Sequence, residues 1–517
     1  MKKLPSLYQD LILTFVSSLV LSLGIAVVEP KPFLQSWLAT NLLLWLVFFI
    51  LFRLWRGFQG GRKLILLMVI TFFSRLLLGV FVTSALPQIG FDTEVENAGY
   101  LYSDAYRRDL HSFTLAQSDA PLLTSFSNDA GSDQYGGLMF LTAAVYRLFN
   151  LESPHPLLIT ILASFVMTAG LAFLLDGLRR RWGNTVALAA GWFYALYPEG
   201  VLLGSSQMRE PFLIGLFCVA FWAVVNWKEK TGQKLLIFML CAVFSLAFSL
   251  PFGAILVGLL VAYGLVEWIA VHPSQRVRRF GLLLLAALGV VGLIAGWMWL
   301  KPTLYYDAFI TRSSSGNITV LLERMGEKWQ MPFITFYGIT QPFLPGALTD
   351  PSLPFWRITS IVRALGWWFM LPFLPYGFFA LWKARSKSDR WALLLIVVAL
   401  IGWILISALR AGGDMWDNPR YRALLIPWFG LLFGWCWQRF QQGHLSWFLR
   451  WVGAELVFFL VFLFWYFFRY QIIHRYIGFF QMIQVILVGA GLILFSGLVS
   501  DFLKRRARHL SEKGGTK

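Results

Sequence analysis

Charged residues are scarce in this chain of 517 residues. They make up 14% of the sequence, whereas soluble globular domains average about 25%. Hydrophobic residues reach 58% and aromatic residues 17%, which excludes an ordinary water-soluble domain. The sequence also has no Walker loop, no dinucleotide-binding fingerprint, no HExxH motif and no cysteine pair at zinc spacing. Its three cysteines, Cys218, Cys241 and Cys436, lie within apolar runs and predict neither a disulfide nor a metal site.

Long apolar runs fill most of the chain, and each is close to the roughly 20 residues that a helix needs to cross a bilayer. Helices are expected because a membrane-spanning segment must satisfy its own backbone amides. The sequence therefore predicts an all-α, polytopic transmembrane helical bundle of about fourteen spans. The predicted spans are 11–28, 38–55, 64–83, 157–177, 184–198, 211–227, 234–250, 253–271, 280–300, 357–382, 391–410, 421–437, 447–468 and 477–500.

Basic residues cluster between these spans, and the net charge of the chain is +18. With both termini in the cytoplasm, all of these clusters face the cytoplasm, as the positive-inside rule requires. The positive charge therefore indicates membrane topology and not nucleic-acid binding. The clusters lie at 53–63, 179–181, 228–230, 276–279, 383–387 and 504–506.

This orientation requires that residues 136–150 do not cross the membrane. The segment is short, contains Arg147 and carries its leucines on one side, so it predicts an amphipathic helix in the membrane interface. Two long loops, 84–156 and 301–356, then lie outside the cytoplasm. The second loop has apolar residues at helical spacing from Ile318 to Trp329, which predicts another interfacial helix.

Two acidic motifs in the first outer loop are candidates for chemistry. Asp104 lies between aromatic residues in Tyr-Ser-Asp-Ala-Tyr (102–106), and a carboxylate at the membrane surface can accept a proton from a hydroxyl group. A solvated loop acid is the alternative interpretation. Asp133 lies directly before the interfacial helix, where an N-cap explains it equally well.

Two further polar motifs lie at the outer ends of spans. Glu210 lies between Arg209 and Pro211 in the sequence, and Pro211 can begin a helix. Arg420 and Arg422 lie at the head of another helix, where a positive charge is unfavourable unless an anion binds there. Guanidinium groups offer a planar fork of donors suited to phosphate. Snorkelling toward lipid headgroups is the alternative.

Taken in order, these motifs resemble those of the GT-C glycosyltransferases, polytopic enzymes that take sugars from polyprenyl-phosphate carriers. The resemblance covers roughly 64–437 and includes bacterial relatives of protein O-mannosyltransferases. It rests on Tyr-Ser-Asp-Ala at 102–105, the segment at 135–149, Tyr197-Pro198 with Arg209-Glu210, and Asn-Pro-Arg-Tyr-Arg at 418–422. It implies a GT-C-like catalytic module at 64–437, preceded by two spanning helices in 1–63. Further spanning helices and a basic tail follow in 438–517.

The resemblance implies an inverting transfer of a sugar from a polyprenyl-phosphate donor to a hydroxyl of a glycan, lipid or protein. The reaction would take place on the extracytoplasmic face of a prokaryotic inner membrane. Asp104 would be the general base, with Asp133 or Asp92 as a second acid and Glu94 or Glu96 as alternatives. No cofactor, metal site or nucleic-acid partner is implied, although a divalent cation stays open. The donor phosphate would be held by Arg209, Glu210, Arg420 and Arg422.

Two other classes of membrane protein stay open at this point. A ligase or polymerase of lipid-linked glycans shares the need for arginines that bind phosphate. A lipid or polysaccharide flippase or transporter favours charges deep within spans and pseudo-symmetric halves, and no internal repeat is visible in the sequence.

The charge bias leads to a prediction about topology. We expect cysteines introduced at 84–135 and 301–356 to react with a membrane-impermeant maleimide in intact cells. Cysteines introduced at 53–63, 179–183 and 383–390 should react only after permeabilisation, because basic loops stay in the cytoplasm. Labelling of 84–135 only after permeabilisation would contradict this topology.

Overall fold

The computed structural model describes residues 7–28, 32–127, 136–313, 322, 326–384, 386–469, 474 and 477–514. Within these ranges the regular structure is helical throughout, which confirms the predicted all-α class. The first α-helices are α1 (Leu7–Ala26), α2 (Phe33–Gly57), α3 (Gly61–Ile89), α4 (Glu94–Asn97), α5 (Ser103–Gln117), α6 (Gly137–Leu148), α7 (Pro156–Trp182), α8 (Asn184–Leu196), α9 (Pro198–Gly204), α10 (Glu210–Val225) and α11 (Thr231–Phe248). They are followed by α12 (Leu250–Val271), α13 (Gln275–Ser313), α14 (Glu327–Thr340), α15 (Leu344–Thr349), α16 (Pro354–Met370), α17 (Phe373–Ala380), α18 (Lys387–Ala411), α19 (Asp417–Ala423), α20 (Ile426–Gln441), α21 (Ser446–Arg469) and α22 (Phe479–Gly514).

Eleven helices in the described part of the chain are long and apolar enough to cross a membrane, or up to twelve if the bent pair α8–α9 counts as one span. The chain is therefore a polytopic integral membrane protein. Three segments account for the difference from about fourteen predicted spans. The segment at 184–198 belongs to the α8–α9 pair, which is bent by 57°. The segment at 211–227 forms a helix of only 16 residues, and that at 421–437 is divided between α19 and α20.

The segment at 136–150 forms a short helix, as predicted. Helix α6 has 12 residues, too few to cross a bilayer. Its residue Arg147 donates hydrogen bonds to carbonyl groups at the end of α5, including that of Leu115 at 2.8 Å, so the two loop helices are joined. Most of the interfacial helix predicted at 318–329 lies outside the described residues, and Trp329 is an exposed residue of α14.

Helix α7 forms the centre of the bundle and packs against α3, α8 and α10. In its membrane-spanning window 78% of the residues are buried, against 6% for the peripheral helix α13. Gly170 of α7 faces Gly215 of α10, and a Cβ atom on Gly170 would come within 2.8 Å of the Gly215 Cα. Small residues are required here because they let two helix backbones approach closely.

The chain breaks between α8 and α9 at Pro198. Proline has no amide hydrogen, so carbonyl groups of the preceding turn lose a helical partner. The buried guanidinium group of Arg75 on α3 replaces it and donates to the carbonyls of Tyr194 at 3.0 Å and Ala195 at 3.2 Å. A cation at this position also complements the negative end of α8.

A buried ion pair fixes the helix that follows this break. Arg363 of α16 donates to Glu199 of α9 through two hydrogen bonds, 2.7 Å from Nε and 3.0 Å from Nη2. Both side chains are buried, and the bidentate geometry matches the guanidinium fork to the carboxylate. The pair therefore anchors α9 against α16.

Glu199→Gln should strongly destabilise the protein, because it leaves the charge of Arg363 buried without its partner. We expect a loss of about 3–5 kcal/mol in unfolding free energy, measured by denaturation in mixed micelles. The matched control is Glu229→Gln, which removes an exposed ion pair with Arg180 at 2.8 Å and should cost less than about 1 kcal/mol. Equal losses in the two variants would contradict the role assigned to Glu199.

Candidate active site

Asp104 lies in the first turn of α5, at the positive end of that helix dipole. Its side chain is 45% exposed, and Arg107 donates to it at 3.0 Å across one turn. Burial raises the pKa of Asp104, but Arg420 and two arginines of α5 outweigh burial and bring the pKa below its ordinary value. The carboxylate is therefore ionised at neutral pH.

A buried network holds α5 in place behind Asp104. Asp109 accepts hydrogen bonds from the hydroxyl groups of Tyr100 at 2.5 Å and Tyr146 at 2.6 Å. Burial raises the pKa of Asp109 to about 6, although both hydroxyl groups act in the opposite direction. The Tyr146 hydroxyl in turn accepts from the backbone N–H of His155 at 3.0 Å, so the network joins α5, α6 and the segment that enters α7.

Helix α5 also contacts the turn between α9 and α10. The guanidinium group of Arg108 donates to the carbonyl of Gln207 at 3.1 Å. The Gln207 side chain donates to the Thr160 hydroxyl of α7 at 3.0 Å. All three side chains are buried, so the position of Asp104 is set by the bundle and not by the loop alone.

Arg420 of α19 is the basic centre of the site and is only 4% exposed. Three carboxylates from three segments surround it. Its Nη2 lies 3.1 Å from Asp417, its Nε lies 3.3 Å from Glu210, and its Nη1 lies 3.5 Å from Asp104. Burial raises the pKa of Asp417 above its ordinary value, with Arg420 acting in the opposite direction.

Asp104 and Arg420 line a cavity of about 510 Å³ near the end of α3. Three aromatic side chains form part of its wall. The rings of Tyr102 and Trp356 each meet Trp416 edge to face, with centroids 5.9 Å and 5.2 Å apart. The cavity is lined by Phe91, Glu96, Leu101, Tyr102, Ser103, Asp104, Asp350, Ser352, Trp356, Ser360, Met415, Trp416, Asp417 and Arg420.

Charged groups contact two rings of the aromatic wall. The guanidinium group of Arg363 lies 4.3 Å from the centre of the Trp416 ring, within the range of a cation–π contact. The indole N–H of Trp356 donates to Glu96 at 3.2 Å. Glu96 therefore brings a second first-loop carboxylate to the cavity, alongside Asp104.

The structure brings together some of the residues singled out in the sequence and separates others. Glu210 is fully buried behind Arg420. Arg209 lies outside the cavity lining, with its guanidinium group 5.4 Å from the centre of the Phe252 ring. Arg422 donates to the carbonyls of Ile339 and Gln341 and lies 3.7 Å from the Trp367 ring centre.

The other two candidate acids lie elsewhere. Asp92 accepts a hydrogen bond from the Asn97 side chain at 2.8 Å and is exposed, outside the cavity lining. Asp133 lies outside the described residues. No group of three or more His, Cys, Asp or Glu side chains that could hold a metal ion occurs among the residues that the structure describes.

Sequence reasoning did not single out several residues of the cavity. Asp417 has a local signal, because an acid three residues before Arg420 lies on the same face of a helix. Trp356 and Asp350 have none, since they come from a different part of the chain and reach the site only through folding.

No family model matches the sequence, and no curated protein matches it. Among solved structures, the chain is similar to the archaeal oligosaccharyltransferase AglB from Archaeoglobus fulgidus, solved in complex with an inhibitory peptide and a dolichol-phosphate. The identity is 14% and the TM-score 0.35, over 84% of this chain and 54% of the archaeal chain. The chain thus spans about half the length of that protein. At this level of similarity, function has to be inferred from the residues of the cavity itself.

Proposed function

We propose that this chain is an integral membrane glycosyltransferase of the GT-C type. It moves a sugar from a polyprenyl-phosphate carrier to a hydroxyl acceptor, with inversion, on the extracytoplasmic face of the membrane. The observation that carries the proposal is the pairing of Asp104 with Arg420, 3.5 Å apart, in the wall of one cavity. A base and a phosphate-binding cation are the two groups that this transfer requires.

Asp104 is the general base of the proposed reaction. Its carboxylate is ionised and partly exposed to the cavity, so an acceptor hydroxyl can donate its proton there as it attacks the sugar. A positioned base of this kind contributes about 10²–10⁴-fold to the rate. Because Asp104 sits on a helix that the buried Asp109 network fixes, its geometry is set before the substrate binds.

Arg420 stabilises the phosphate that leaves the sugar. Negative charge develops on the phosphate as the glycosidic bond breaks, and a fixed, poorly hydrated guanidinium group stabilises it more than water does. Arg420 is almost fully buried, which strengthens the interaction. Glu210 and Asp417 orient the guanidinium group from two sides.

The remaining walls suit a sugar. A cavity of about 510 Å³ lies within the range of small-molecule sites, which combine apolar or aromatic surface with a few polar groups. Trp356 and Trp416 offer ring surface to the sugar, while Glu96 and Asp350 offer acceptors to its hydroxyl groups. The cavity adjoins the end of α3 opposite to the basic loop at 53–63, which supports an extracytoplasmic location by the positive-inside rule.

Asp104→Asn should lower sugar transfer about 10²–10⁴-fold while leaving folding intact, because it removes the base with little change in shape. Transfer is measured in membranes with a panel of radiolabelled polyprenyl-phosphate sugars as donors. Asp92→Asn is the matched control, since it changes an acid of the same loop outside the cavity, and it should keep wild-type turnover. Wild-type turnover in the Asp104 variant would sink the proposal and favour a transporter.

Arg420→Lys should raise the donor KM about ten- to a hundredfold, because lysine keeps the charge but loses the planar fork of donors.

Arg420→Gln should also shift the acidic limb of the profile of activity against pH to higher pH. Asp104 works as a base only when ionised, and removal of Arg420 takes away the main charge that lowers its pKa. The control is Arg357→Gln, an exposed arginine of α16. A normal donor KM and an unmoved acidic limb would show that the phosphate is held elsewhere.

A further inference from the structure

A second cavity lies at the other end of the bundle and plays no part in the proposed reaction. Its volume is about 420 Å³. It lies where α3 begins, whereas the Asp104 cavity adjoins the end of α3. A helix of 29 residues is about 40 Å long, so the two cavities lie at the depths of opposite membrane leaflets. The second cavity is lined by Phe58, Gly60, Gly61, Arg62, Lys63, Leu64, Ala172, Leu175, Asp176, Arg179, Asn184, Ala187 and Leu188.

The polar side of this cavity carries excess positive charge. Asp176 is the one acid among the described residues that line it, and it already accepts from Arg179 at 2.9 Å and from the Trp222 indole N–H at 2.8 Å. Arg62 and Lys63 are exposed, and neither forms an ion pair with any residue in the described part of the chain. Their two charges are therefore available to an anion.

Two helices also begin at this cavity. Helix α3 starts at Gly61, which adopts a φ of +63° that favours glycine, and α8 starts at Asn184. The first N–H groups of a helix have no partner within it, and the positive end of its dipole attracts anions. Together with Arg62 and Lys63, these helix starts make a phosphate group the expected ligand.

The rest of the cavity lining is apolar and forms its apolar side. It consists of Phe58, Leu64, Ala172, Leu175, Ala187 and Leu188. A free phosphate ion would use only the polar side, whereas a phospholipid would place its phosphate there and its glycerol and first acyl carbons against the apolar side. Basic pockets between membrane helices on the cytoplasmic side are suited to anionic lipid headgroups.

We infer that this cavity binds the headgroup of an anionic phospholipid of the leaflet opposite to the Asp104 cavity. Arg62 and Lys63 contact the phosphate, together with the N–H groups at the starts of α3 and α8. The acyl chains leave the cavity along the apolar faces of α3 and α8. This inference does not depend on the function proposed for the Asp104 cavity.

The test uses the full chain, purified in detergent and stripped of lipid, with native mass spectrometry to count retained lipids. Wild-type protein should retain one phosphatidylglycerol at concentrations where phosphatidylcholine is not retained. Arg62→Gln/Lys63→Gln should weaken this retention about ten- to a hundredfold, the effect of losing a charge-assisted hydrogen bond. Both residues are exposed, so the fold should survive, and a thermal-unfolding curve checks this.

Arg278→Gln/Arg279→Gln is the matched control, because it removes two exposed charges at the start of α13, outside the cavity. It should leave retention unchanged. Equal loss in both double variants would mean general surface attraction and would overturn the site, as would unchanged retention in Arg62→Gln/Lys63→Gln.

A third variant separates a lipid from free phosphate. Leu188→Trp fills the apolar side and keeps every charge, so it should abolish phosphatidylglycerol retention. Retention that survives Leu188→Trp would mean that the apolar side does not hold the lipid and would overturn the lipid assignment, as would binding of inorganic phosphate that is equally strong in the wild type and in Leu188→Trp while neither protein retains phosphatidylglycerol.

Discussion

The site depends on one interaction in the middle of the bundle, the capping of a broken helix by Arg75. The guanidinium group of Arg75 donates hydrogen bonds to the carbonyls of Tyr194 and Ala195 at the end of α8. Without them these carbonyls would have no partner in an apolar environment, which costs free energy of folding. The cap lets the chain stop at Pro198 and turn. The turn directs Glu199 to Arg363 and starts α10 at Glu210, directly behind Arg420. A buried arginine on one helix thus helps to set the positions of two acids, Glu199 and Glu210, on the two helices that follow the bend.

The arginines inside the protein, buried or half-buried, have two distinct roles. Arg75 and Arg422 bind backbone carbonyls, and Arg147 does the same at the end of α5, so these three residues hold helix ends. Arg363 and Arg420 instead bind carboxylates. Of the last two, only Arg420 lines the cavity. Arginine content alone therefore does not identify a phosphate site; the partners of each guanidinium group do.

Much of the fold could be predicted from sequence, because the length of an apolar run is a local property that the bilayer fixes. The bend at Pro198 could not, since hydropathy hardly changes across it and Arg75, which caps the helix before it, lies 119 residues before its partner Tyr194. The residues of the site also divide into those that the sequence indicates and those that it does not. Arg420 and Arg422 looked equivalent in the sequence, but residues two apart on a helix face different directions, and only Arg420 meets the cavity. Trp356 reaches Glu96 across 260 residues, and no local pattern indicates that contact.

The three carboxylates around Arg420 have a consequence for the order of events. Each of the three nitrogens of the guanidinium group lies within 3.5 Å of a carboxylate oxygen, so its positive charge is already balanced by carboxylates of the protein. Any incoming anion must exchange with Asp104 or Asp417, the two partly exposed carboxylates. A small ion has no further contact to replace the lost ion pair, whereas a ligand that also packs against the rings of the aromatic wall does. The same exchange would separate Asp104 from its cation and raise its pKa, so the base of the proposed reaction would reach its full strength only after the anion has bound.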